Sequence, residues 1–116
     1  MSKTALPVTP ERVRGCCVAL AEPLAEDDVS ELAAVYKALA DPTRVQMLHQ
    51  LKAATEPICV CDFTAAFDLG QPTVSHHLGK LKAAGFIDSF KRGVWAFYQL
   101  RDDMSVAARA ALATIP

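Results

Sequence analysis

The sequence has no run of about 18 apolar residues, the length a membrane-spanning helix requires, so no such span is expected. Its opening stretch, MSKTALPVTPERVRG, lacks the apolar centre of a secretory signal, and a cytoplasmic protein is the expectation. A phosphate-cradling glycine loop and a nucleophile elbow are both missing, which disfavours an enzyme. Histidine is scarce: His49, His76 and His77 are all there is, too few for a nitrogen-rich metal site. Strong net charge is absent as well, at −1 over 116 residues. Low-complexity tracts and internal repeats do not occur.

What remains is one small domain, 52% hydrophobic. A chain this short buries its core only marginally, which leaves apolar surface for a partner subunit. The charge is small but uneven. Residues 62–101 carry five basic and three acidic side chains, while residues 1–61 carry six basic and eight acidic. Two-fold dimerisation would double the basic face. Four cysteines fall into two close pairs, Cys16 with Cys17 and Cys59 with Cys61. In a reducing compartment, paired thiols more often bind metal or sense redox state than form structural disulfides. The competing reading is that cysteine packs like a small hydrophobe.

Taken in order, residues 1–10 hold two prolines and no periodicity, and a flexible arm is expected. A short helix over 11–21 is expected to end at Pro23. Asp27 or Asp28 is the expected cap of the next helix, in which Val29, Leu32, Ala33, Tyr36, Leu39 and Ala40 form an apolar stripe. Asp41-Pro42 then starts a helix whose buried face is Val45, Met47, Leu48 and Leu51.

Cys59 and Cys61 precede a short helix over 62–67, at a terminus where the macrodipole favours thiolate. Two thiolates at this spacing suit one soft ion but are too few for a strong site, so Cys16 or Cys17 would have to complete it. A turn over 68–70 follows, with Gly70 expected at positive φ. Pro72 opens a second helix that reaches residue 84, its core side Val74, Leu78 and Leu81, with Gly85 as cap. Short helix, tight turn, second helix is the helix-turn-helix pattern.

Residues 86–90 and 94–100 are rich in aromatic and β-branched residues on either side of a basic Lys91-Arg92-Gly93 tip, which predicts a β-hairpin wing. A last helix is expected over 102–114. The predicted architecture is therefore mainly α with a small β-hairpin. It is a homodimeric winged helix-turn-helix, with residues 1–25 as an arm carrying Cys16 and Cys17 and residues 26–116 as the DNA-binding domain with its dimerisation helices.

A reading helix turns the side opposite its core stripe to the major groove. That side holds Thr73, Ser75, His76 and Lys80, with Gln71 at the leading end. Glutamine pairs with adenine, and serine and threonine serve bases or phosphates. Lys91 and Arg92 are the expected backbone or minor-groove contacts of the wing. His77 lies nearer the core edge and His49 on a helix surface.

The strings KALADPTRVQML (37–48), ICVCDF (58–63), GQPTVSHHLGKLKAAGFI (70–87) and KRGVWAFYQL (91–100) resemble the ArsR/SmtB family of metal-responsive winged-helix repressors. The resemblance implies a homodimer joined through the first and last long helices. It also implies operator DNA bound without the ion and released with it. Carried over, the CVCD string makes Cys59 and Cys61 inducer ligands. The third cysteine common in the arsenic branch is replaced by Thr64. Cys16 and Cys17 supply thiols in its place, as in members whose arm contributes them. The zinc branch uses Asp and His ligands on the last helix, and residues 102–116 contain no His. As(III) or Sb(III), which takes three thiolates, is the expected inducer. Cd(II) or Pb(II), which use three or four, and a thiol-redox response are the alternatives.

Overall fold

The computed structural model describes residues 18–116. Within them the chain runs α1 (Glu26–Leu39), α2 (Pro42–Ala53), β1 (Ile58–Cys59), α3 (Val60–Phe67), α4 (Gln71–Ala83), β2 (Ile87–Arg92), β3 (Trp95–Leu100) and α5 (Val106–Ala113). The strands form one antiparallel sheet in the order β1-β3-β2. Most of the helix expected over 11–21 lies outside the described residues, and its described part, 18–21, is not helical.

Local chemistry sets the helix ends. In α1, Glu26, Asp27 and Asp28 occupy the first turn and Lys37 the last, as the macrodipole favours. Its cap position is Ala25, with no side-chain bond, so Asp27 and Asp28 lie inside the helix rather than capping it. Asp41 does cap α2: its Oδ1 accepts from the amides of Thr43 at 2.8 Å and Arg44 at 3.1 Å.

The turn between α3 and α4 departs from expectation. The left-handed residue is Asp68, at φ 53°, while Gly70 is extended because it occupies the cap position of α4. Asp tolerates this region better than most residues with a Cβ. Gly85, at φ 88°, closes α4: its amide bonds Lys82 O and the Phe86 amide bonds Leu81 O. That bond pair is the Schellman motif.

The core gathers Val35 and Ala38 from α1, Met47, Leu48 and Leu51 from α2, and Phe63 from α3. Val74, Leu78 and Leu81 from α4 and Ala108, Ala111 and Leu112 from α5 close it. The stripe read from α1 is split: Leu39 packs against this core, and most of the rest points elsewhere. Leu32 and Tyr36 are exposed, Tyr36 by 56%, and they flank a shallow recess shared with Leu24, Val106 and Ala110. The helix therefore has two apolar sides, and among the described residues only the one carrying Val35 and Ala38 is covered. The last helix begins at Val106, later than expected, because Ser105 caps it by accepting the Ala108 amide at 3.1 Å.

Candidate inducer site and nucleic-acid interface

Cys59 ends β1 and caps α3. Its Sγ accepts the Cys61 amide at 3.4 Å, while the Asp62 carboxylate accepts the Cys59 amide at 3.3 Å. This is a capping box with a thiol in the place serine usually takes. The helix thus starts at Val60, and Cys61 lies in its first turn rather than ahead of it. The two Sγ atoms are 2.6 Å apart, and Cys61 donates toward Cys59.

The two thiols differ in setting. Cys59 is buried, at 5% exposure, among the core residues, and Cys61 is exposed. The Cys61 thiol is pushed above its usual range, first by its hydrogen bond to Cys59, then by burial and by the charges of Cys59 and Asp62. The direction is opposite to the one that the macrodipole alone would give. Thr64, where a third thiol would stand, donates its hydroxyl to Cys61 O at 2.8 Å. No group of three His, Cys, Asp or Glu side chains converges among the described residues. Cys16 and Cys17 lie outside them.

The reading helix α4 buries Val74, Leu78 and Leu81, and leaves Gln71, Thr73, Ser75, His76 and Lys80 exposed on its other side. Its N-terminus has no side-chain cap. An uncapped helix start of this kind is suited to a phosphate.

His77 is turned inward. Arg44 Nη1 donates to its Nδ1 at 3.1 Å, so the proton of the neutral ring is on Nε2. Arg44 also donates to Ala38 O at 2.7 Å and Lys37 O at 3.4 Å. One guanidinium therefore ties the end of α1 to the reading helix. Sequence reasoning missed this role for Arg44. The available signal was its place three residues after the Asp41 cap, which points it back across α1. His49, read as a surface residue, has its Nδ1 2.9 Å from Pro116 O.

Lys91 and Arg92 are exposed but belong to β2, and the turn of the wing is Gly93-Val94. Strand pairing continues through Arg92 opposite Trp95, and the Arg92 guanidinium rests on two rings. It lies 5.5 Å from the Phe90 centroid and 5.2 Å from that of Phe97. Lys82 donates to Ser89 Oγ at 2.7 Å, fastening the wing to α4.

An exposed reading helix with a basic wing behind it matches a known group of proteins. The family model described as "Bacterial regulatory protein, arsR family" covers residues 41–89. A helix-turn-helix regulator of Methanocaldococcus jannaschii, MJ1325, is 44% identical over 71 residues, 61% of this chain and 79% of that protein.

The chain belongs to the ArsR family.

It is a DNA-binding transcriptional regulator with the winged-helix fold, not an enzyme. The arsenic resistance regulator ArsR1 of Pseudomonas putida is 40% identical over 60% of this chain and 54% of its own length. The cadmium resistance regulator CadC of Listeria innocua is 35% identical over 68% of this chain and 66% of its own. The match thus spans roughly half to two thirds of these two relatives. Among solved structures, the homodimeric winged helix-turn-helix domain of Mb0332 from Mycobacterium bovis has a TM-score of 0.63 at 25% identity. It covers 77% of this chain and 78% of that one. No described helix is long and apolar enough to cross a membrane.

Proposed function

We propose that the protein is a cytoplasmic, homodimeric repressor that holds operator DNA when ion-free and releases it on capturing arsenite or antimonite. Residues 26–116 are its DNA-binding and dimerisation unit, and residues 1–25 an arm. Cys59 and Cys61 are two of the ligands, and Cys16 or Cys17 brings the third. One observation carries this reading: a thiol pair with facing sulfurs starts the helix that leads directly into the reading helix. As(III) needs three thiolates, so an arm bound to this pair is drawn against α3. A shift of α3 changes the spacing of the two reading helices across successive major grooves. A coupling of about 1–3 kcal/mol changes operator occupancy five- to 150-fold. The apolar recess between α1 and α5 supports the dimer, because Leu32, Tyr36 and Val106 are left exposed by the described residues. Gln71, Thr73, Ser75, His76 and Lys80 meet the DNA from α4, and Lys91 and Arg92 from the wing.

The likeness to CadC and the presence of four cysteines favour Cd(II) or Pb(II) as the second reading. Fluorescence anisotropy on promoter DNA, in reductant, separates them under titration with arsenite, antimonite, Cd(II) and Pb(II). Release by arsenite at low stoichiometry, with Cd(II) weaker, is expected. Release by Cd(II) alone transfers the protein to the second reading, and no release by any ion refutes both. Cys59→Ser is the matching variant. Serine preserves the capping box and removes the soft ligand, so DNA binding should persist and induction should vanish.

A further inference from the structure

Cys59, Phe97 and Phe90 form one row across the sheet. Cys59 pairs with Phe97, and Phe97 with Phe90, in adjacent antiparallel ladders. Direct partners in such ladders share a face and stand about 5 Å apart. The two rings are stacked, with centroids 5.7 Å apart and planes 14° apart, and the Arg92 guanidinium lies over both. Trp95, the single tryptophan, is the ladder partner of Arg92 and is half exposed. The buried thiol therefore stands at one end of an aromatic row, and the wing arginine rests on its other members.

We infer that this row carries the state of the thiols to the wing, with Phe97 as the positioning residue for Arg92. This rests on the reading of Cys59 as an inducer ligand. β1 has only two residues, and its pairing with β3 runs through Ile58 and Cys59. When arsenite condenses with the Cys59 thiol, an S–As bond forms, an As–OH bond breaks, and the thiol proton leaves with that hydroxide as water. The Cys59 side chain turns to bring the larger atom to the further sulfurs. Phe97 is the first side chain across the ladder. A shift or rotation of its ring changes the surface that holds the guanidinium. Arg92 then leaves the geometry it presents to DNA, and the wing releases its contact while the reading helices change their spacing. The observation is specific to this chain's residues, because a leucine at position 97 would give Arg92 no ring face there.

The test follows Trp95 emission, which reports on the wing without DNA. Wild type, Phe97→Tyr, Phe97→Leu and Cys59→Ser are titrated with arsenite, and thiolate-to-arsenic absorption is read in parallel. In wild type and Phe97→Tyr, emission should change in step with the absorption. In Phe97→Leu the absorption should persist at the same stoichiometry while the emission change shrinks to a small fraction. On promoter DNA, Phe97→Leu should bind roughly two- to fivefold more weakly per protomer, the loss expected for one exposed cation–π contact. Its ratio of ion-bound to ion-free dissociation constants should also fall. If Phe97→Leu keeps the full emission change and the full ratio, the inference is overturned while the arsenic reading stands. If wild type shows no absorption change, the ion does not bind and the inducer reading itself fails, taking this inference with it. Circular dichroism and urea unfolding of Phe97→Leu confirm the fold. If that variant does not fold, Phe97→Ile, a strand-favouring residue without a ring face, takes its place with the same expected pattern.

Discussion

Replacing Val106 by Asp isolates the proposed dimer face from the packing of the protomer. Val106 is the first residue of α5 and is 86% exposed, so its methyl groups contribute little to the protomer's own stability. A carboxylate in a first helical turn is favoured by the macrodipole, so α5 should keep its shape. At the interface the effect is large. Full burial of a valine side chain is worth about 1.5 kcal/mol. A two-fold interface contains the substitution twice, which makes about 3 kcal/mol. That weakens the dimer dissociation constant by a factor on the order of 10². Asp28 and Glu31 line the same recess, so each new carboxylate also meets like charge there. Sedimentation equilibrium over a concentration series measures the constant directly. Anisotropy on a full operator and on a half-site then shows whether tight binding needs both protomers. A Val106→Asp protein that dimerises within about threefold of wild type would refute the assignment of this face.

Three further outcomes follow from the same coordinates. Leu78→Ala, at a fully buried site on the reading helix, should destabilise the protein by about 2–5 kcal/mol in urea unfolding at fixed protein concentration. A loss under about 1 kcal/mol would contradict its place in the core. Lys80→Ala removes an exposed cation from the reading helix, so promoter affinity should fall alike on all sequences. The slope of log affinity against log salt should shrink by about 1 per lost phosphate contact, and an unchanged slope would remove Lys80 from the interface. The Cys61 thiol is raised, so it meets an inducer in its protonated form near neutral pH. As(OH)3 condenses with thiols and releases water rather than protons, so arsenite affinity should stay nearly flat between about pH 7 and 8. Cd(II) displaces a proton from each thiol, so its affinity should climb by up to about tenfold per unit for each one. Cys61→Ser should lower the Cd(II) slope by about one proton in an absorption titration, and an unchanged slope would remove Cys61 from the ligands.

Much of this protein was legible in its residues because the signals are local. Runs rich in aromatic and β-branched residues predict a hairpin, spacings of three and four predict helices, and Asp41-Pro42 and Gly85 punctuate the chain. The buried side of α4 was readable for the same reason: Val74, Leu78 and Leu81 repeat at helical spacing, and the opposite side follows by geometry. The errors were also local. Gly70 looked like the left-handed residue, but a glycine that caps a helix is extended, and Asp68 took the turn.

Which face of an apolar helix is covered by the protomer depends on what packs beside it, and periodicity does not contain that. Only the tertiary structure separated the covered side of α1 at Val35 and Ala38 from the open side at Leu32 and Tyr36. The two-residue strand β1 was invisible because two residues have no period, yet its register brings Cys59 to Phe97. Arg44 meets His77 across 33 positions for a similar reason. The sequence by itself determined the long helices, the two strands of the wing and the exposed side of α4, since propensity, capping and spacing act between near neighbours. The environment of each thiol, the row that leads from one of them to the wing, and the uncovered face between α1 and α5 were decided by packing between distant segments.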